Sequence, residues 1–272
     1  MASDLFPQAR EMADESMVRN LAAQAEAIWP QERRILERHG LSGRLSILDG
    51  GCGTGEITAR LAALYPEARL LGLDILDGHL DLARARTQAD AARVRFEHRS
   101  LFDTGLPAGG FDLVVCRHVV QSVPHPERMI AELLRLTRPG GRLHLLAEDY
   151  GMIHFPARRF DPDDFWDVIP RRMQEADGID MRIGRHALGH LRALGVRDVA
   201  VDFVSVDTLR VPRRTFAAIW EAWRDGYADT AAARLGIPPD EARARFDDQI
   251  ETLLDETQYC VWQVPIISAV AP

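Results

Sequence analysis

The 272-residue sequence predicts an α/β fold, a doubly wound and mostly parallel sheet with helices on both faces, on three observations. From Ser46 onward, short apolar runs alternate with segments of helical periodicity. The stretch ILDGGCGTGE, Ile47 to Glu56, carries a buried strand into a helix through a glycine-rich corner. The next strand, LLGLDI, ends in an acid, Asp74, 19 residues after Gly55 (74 − 55 = 19).

The elements follow in order. Leu21, Ala25, Ile28, Ile35 and Leu36 place an apolar stripe on an N-terminal helix that His39-Gly40 ends. Strands are expected at 45–49, 69–74, 93–98, 111–116 and 141–148, with helices at 55–65, 78–89 and 126–137 and a turn at Pro139 to Gly141. After Tyr150 the alternation breaks into a stretch rich in aromatics, prolines and charges, which reads as a functional insertion or lid. A strand at 197–208, helices at 212–228 and 239–255 and a last strand at 257–269 complete the chain. Pro265 in that last strand marks a bulge or an edge position. The expected organisation is a helical cap over 1–43, a core over 44–150, the insertion over 151–196 and the completion of the same core over 197–272.

Composition narrows the function. A hydrophobic fraction of 46% with 27% charged residues is that of a soluble globular protein. No apolar run approaches the ~20 residues of a membrane span, and the N-terminus has acids where a signal peptide needs bases. A cytoplasmic enzyme without a membrane partner is expected. The net charge of −8 argues against a nucleic acid partner, and the arginine pairs at 33–34, 158–159, 171–172 and 213–214 read as solvated surface or ion pairs. Cys52, Cys116 and Cys260 are widely spaced and odd in number, so neither a disulfide framework nor a metal site is expected.

The glycine corner holds the chemistry. Gly51, Gly53 and Gly55 permit a sharp turn and let backbone amides approach a ligand that a Cβ would repel. The helix that follows adds free N–H groups and a partial positive charge, suited to a carboxylate or phosphate. Asp74 can accept hydrogen bonds from a ribose. A nucleoside with an anionic tail is implied. The dinucleotide fingerprint shares this physics but would need a small residue at position 56, where Glu56 stands.

These residues resemble motifs I and II of the class I S-adenosylmethionine-dependent methyltransferases, in which D-x-G-x-G-x-G cradles the methionine part and an acid ending strand two holds the ribose. The RPGG turn before strand five resembles the family again, extending the likeness over about residues 44 to 149. The resemblance implies a Rossmann-like fold whose final strand runs antiparallel beside strand five. It implies S-adenosyl-L-methionine as cofactor and S-adenosyl-L-homocysteine as product. The N-terminal helix is then either a cap over the cofactor or a helix packed on the sheet edge.

Candidate site residues lie just beyond the strand ends. By resemblance Asp49 helps hold the amino group of the methionine part; Asp74 takes the ribose, and Ile75 with Leu76 walls the adenine. Cys52 in the turn reads as a small filler. Where the family often carries an acid that reads the adenine, this chain has HRSLFD, so either Ser100 with the Leu101 backbone or Asp103 does so. Arg117 and His118 open the loop after strand four, with Gln121 following; His118 could contact the cofactor, shape the acceptor pocket or take a proton. His125 reads as a surface residue. After strand five, Glu148, Asp149 and Tyr150 leave the sheet, and His154 and Phe155 follow. Glu148 and His154 join His118 as candidate bases, and Asp149, Tyr150, Phe155 and Trp166 as candidate acceptor-pocket residues, unless the rings form only the core of the insertion.

The expected function is methyl transfer to an oxygen, nitrogen or carbon nucleophile of a small molecule. The rivals are a cofactor-binding regulatory protein without catalysis and an NAD-dependent oxidoreductase. The N-terminal helix or an edge strand could pair two chains into a homodimer.

Overall fold

One eight-stranded sheet organises the computed structural model, which describes residues 5–7, 9 and 14–272. The N-terminal helix is α1 (Glu15–Glu37); Asp14 caps it by accepting a hydrogen bond from the Ser16 amide at 2.9 Å. Residues 1–4, 8 and 10–13 of the expected cap lie outside the described residues.

Strands β1 (Ser46–Gly50), β2 (Arg69–Asp74), β3 (Val94–His98), β4 (Phe111–Arg117) and β5 (Thr137–Leu146) run parallel in the order β3-β2-β1-β4-β5. Helices α2 (Glu56–Leu64), α3 (Asp77–Arg86) and α4 (Pro126–Leu136) make the crossovers that parallel pairing demands. Strand order reverses between β1 and β4, and a crevice opens there beyond their carboxyl ends. Two-sided coverage leaves Ile47, Leu48, Leu113, Val114 and Val115 with no exposed surface, which is why these strands read as unbroken apolar runs.

Beyond β5 the sheet turns antiparallel. The two-residue β6 (Ile153–His154) follows β5, and the insertion then folds into α5 (Asp163–Trp166), α6 (Ile169–Asp177) and α7 (Ile183–Ala193). β7 (Arg197–Asp207), α8 (Arg213–Leu235), α9 (Pro239–Leu254) and β8 (Val261–Val270) complete the chain. β8 lies antiparallel between β5 and β7, and β6 resumes its ladder after β5 has ended.

Two local expectations are corrected. Pro265 is neither at a sheet edge nor at a bulge, since it pairs with Phe203 in continuous register. Its carbonyl accepts from the Ala147 amide at 3.1 Å, so its missing N–H points to the same side, where β5 has already ended. Pro139 to Gly141 lie within β5, not before it. They bulge out of the ladder as the register jumps from Phe111↔Thr137 to Leu113↔Arg142.

The insertion's aromatics join a core that α1, α8 and α9 share. Phe165, Trp166, Phe216, Trp220, Phe246 and Trp262 are all buried there. The indole N–H groups of Trp166 and Trp220 both donate to Gln249 Oε1, each at 2.8 Å, so this core seats the polar edges of two of its rings. Among the described residues, no helix is long and apolar enough to cross a membrane.

Candidate active site

The corner after β1 is fixed by backbone geometry. Gly51 has φ +72°, and a Cβ there would stand 2.3 Å from Val119 Cγ2 in the loop after β4. Gly55, at φ +75°, opens α2; its Cβ would meet Ala83 Cα of α3 at 2.9 Å, so its smallness sets how closely these helices pack. The amides of Gly51 and Cys52 donate to the Leu73 carbonyl at 2.8 and 2.9 Å and tie the corner to the end of β2.

Asp74 joins the corner to the next loop. Its Oδ2 accepts from the Gly53 amide at 2.8 Å, and its Oδ1 from the Ile75 and Leu76 amides at 2.8 and 3.0 Å. A carboxylate offers about four acceptor positions, so one on Oδ2 is still open. Asp74 borders a cleft lined also by Phe6, Met17 and Leu21 from the N-terminal segment, Ile75, Leu76, His79, Leu101, and Arg117 to Val119. A smaller cavity beside it meets Gln24, Asp49, Cys52, Thr54 and, again, Arg117 and His118.

Asp49 is buried at the floor of that smaller cavity. Burial pushes its carboxyl up to about 6, against the Thr58 hydroxyl, which donates to it at 2.6 Å, and the Arg117 charge. Arg117 is itself buried, with Nε 2.9 Å from Glu32 Oε1 of α1. His144 Nε2 lies 3.2 Å from the same Glu32 oxygen, and His39 3.2 Å from His144. Burial alone would raise the Glu32 carboxyl, but Arg117 and His144 outweigh it and hold it at about 2. Arg117 Nη2 is buried without a hydrogen-bond partner among the described residues, at the junction of the two cavities.

His118 stands at φ +55°, in the left-handed region that only a few per cent of non-glycine residues occupy. Its Nδ1 makes a close contact with Glu148 Oε1 from the end of β5, while its Nε2 is buried and unpartnered among the described residues. Strain of about 1–3 kcal/mol persists where the surroundings over-determine it, and such positions cluster at functional sites. Burial first, and then the Glu148 charge, push the Tyr150 phenol well above its ordinary range, so it stays a neutral hydroxyl beside Glu148.

The other sequence candidates fall into two groups. Gly51, Gly53, Asp74, Ile75, Leu101, Arg117 and His118 border the main cleft, and Asp49 and Cys52 the smaller cavity. Burial pushes the Cys52 thiol well up, so it stays protonated. Ser100 borders neither; its Oγ accepts from the Phe102 amide at 3.2 Å. Asp149 is fully buried and accepts two hydrogen bonds from Arg185 at 2.6 and 2.8 Å, which pins α7 to the end of β5 in place of facing an acceptor. Phe155 stacks on Trp220 at 4.9 Å and Trp166 lies in the same core, so both pack rather than line the cleft. His154 is exposed on β6, and Gln121 is buried beneath the loop after β4; neither borders the cleft. His125 is exposed at the N-terminal end of α4.

Sequence reasoning missed Glu32 and His79. Glu32 did leave a signal, an acid in line with Ile28 and Leu36 on the apolar stripe of α1, where an unpaired charge would be costly.

The residues present fit a nucleoside with an amino acid tail. The cleft carries an open carboxylate acceptor at Asp74, a glycine cradle that a Cβ would fill, and at its inner end a carboxyl and the Arg117 guanidinium, whose Nη2 has no partner among the described residues. Residues 47–141 match the family model described as a methyltransferase domain. A demethylmenaquinone methyltransferase of Deinococcus radiodurans is 32% identical over 125 residues, 46% of this chain and 47% of that protein. An uncharacterized protein of Synechococcus is 41% identical over 105 residues, 38% of this chain and 25% of its own length. The chain thus spans less than half the length of these curated relatives. Phosphoethanolamine N-methyltransferase 2 of Haemonchus contortus, solved with S-adenosylhomocysteine, superposes with a TM-score of 0.57 at 17% identity, over 90% of this chain and 53% of that one. At that identity the likeness speaks for the fold. Over residues 47–141 the motif-bearing core thus matches a methyltransferase domain, and there the chain is similar to class I S-adenosylmethionine-dependent methyltransferases.

Proposed function

We propose that the protein transfers a methyl group from S-adenosylmethionine to an oxygen, nitrogen or carbon nucleophile of a small molecule and releases S-adenosylhomocysteine. The observation that carries this reading is the glycine corner held against Asp74 where strand order reverses. Gly51 to Gly55 would receive the methionine part, Asp74 the ribose hydroxyls, and Ile75 and Leu101 the faces of the base. Asp49 would take the ammonium, and Arg117, poised by Glu32, the carboxylate.

Bound there, the cofactor supplies a methyl made electrophilic by its positive sulfur. The protein's task is to hold the nucleophile in line, which removes much of the entropic barrier. Phe6, Met17, Leu21, Val119 and Val123 give the cleft an apolar lining that keeps water from the nucleophile. His118 would accept the acceptor's proton at Nε2. Glu148 at Nδ1 would fix the ring's tautomer and orientation, as an orienting carboxylate does for a general base.

Titration calorimetry with S-adenosylmethionine tests the reading, with saturable one-to-one binding expected. No binding would overturn it. Saturable binding without turnover over a broad acceptor panel would favour the regulatory protein, and tight NAD binding the oxidoreductase.

A further inference from the structure

The structure turns both sequence candidates for reading the adenine elsewhere. Ser100 Oγ accepts the Phe102 amide at 3.2 Å, and the exposed Asp103 accepts the Gly105 amide at 3.3 Å. His79 borders the cleft instead. It lies in the first turn of α3, is 6% exposed, and borders the cleft together with Asp74, Ile75, Leu76 and Leu101. Its Nε2 is buried and finds no hydrogen-bond partner among the described residues. Buried polar atoms are nearly always satisfied, so one left open at a ligand cleft points to a partner that arrives with the ligand. Burial, the larger influence, depresses the imidazole's pKa although Asp74 opposes it, which keeps the ring neutral and leaves it one lone pair.

With the ribose at Asp74, Ile75, Leu76 and the His79 ring would border the base, and Leu101 would supply a second apolar wall. We infer that His79 reads the adenine, its Nε2 accepting from the 6-amino group. This rests on the cofactor reading above.

Calorimetry with two compounds tests it: S-adenosylhomocysteine, and its analogue in which hydrogen replaces the 6-amino group. The unaltered protein should bind the analogue about tenfold more weakly, the scale of one lost hydrogen bond in a buried site. His79→Leu should weaken S-adenosylhomocysteine by about the same factor and bind the two compounds alike, because an interaction already removed cannot be lost twice. Full discrimination retained in His79→Leu would overturn the assignment. Should that variant fail to fold, the 15N resonance of His79 Nε2 in the unaltered protein decides: it should shift with S-adenosylhomocysteine and much less with the analogue, and equal shifts would overturn it. If the unaltered protein bound neither compound, the cofactor reading itself would fail and take this assignment with it.

Discussion

Asp49→Asn should make the protein more stable and bind its cofactor less well. Burial raises the Asp49 carboxyl from 3.8 to about 6, so ionising it in the folded protein is costly. At ~1.36 kcal/mol per pKa unit, that gap is about 3 kcal/mol. The sign follows from the raised value. The favourable contribution of the protonated form is complete below pH 3.8 and is lost as pH rises through about 6, so at pH 8 the ionised carboxylate strains the fold by the full amount. Asparagine keeps an oxygen for the Thr58 hydroxyl and removes the charge. Thermal unfolding without cofactor should therefore rise by roughly 5–10 °C at pH 8 and little at pH 4. Calorimetry should show cofactor affinity falling by about 1.5–3 kcal/mol, the scale of a hydrogen bond to a charged group. In the unaltered protein, binding should release a proton near pH 6, because the arriving ammonium favours the carboxylate. An equal stability gain at both pH values, or unchanged cofactor affinity, would refute the reasoning.

Three further outcomes are expected. Asp74→Ala should weaken S-adenosylhomocysteine by about 1.5–3 kcal/mol, and unchanged affinity by calorimetry would remove the ribose assignment. His118→Ala and Glu148→Gln should each lower turnover about 10²–10⁴-fold while cofactor affinity stays within twofold, and full turnover in both would exclude a base at that position. Glu32→Gln leaves the Arg117 charge buried and uncompensated, a loss of about 3–5 kcal/mol by denaturant titration, and a loss below about 1 kcal/mol would contradict the ion pair. With its carboxyl held at about 2, the Glu32 contribution is complete above pH 4.5 and lost as pH falls toward 2.

The parallel half of the sheet was legible because its central strands β1 and β4 are buried on both faces, and because the Gly51 to Gly55 corner and Asp74 leave their spacing in one short stretch. The antiparallel half was legible as strands but not in its detail. Pro265 is tolerated within β8 because β5 ends opposite it, a fact about another part of the chain. Cleft residues close in sequence could be found, whereas partnerships across the chain could not. Glu32 and His144 meet 112 positions apart, and nothing local tells that His144 shares this buried acid with Arg117. The aromatics after Tyr150 look alike in sequence whether they pack or bind; Gln249, whose Oε1 accepts from both Trp166 and Trp220, decides for packing. The left-handed backbone of His118 has no sequence signature, since a side chain disfavours it at every non-glycine position.

A crystal of the protein soaked in S-adenosylhomocysteine tests the central claim most directly. Density should place a ribose hydroxyl within hydrogen-bonding distance of Asp74 Oδ2 and the amino acid tail along Gly51 to Gly55, between Asp49 and Arg117. An open cleft that stays empty at saturating ligand, or a ribose held away from Asp74, would contradict it.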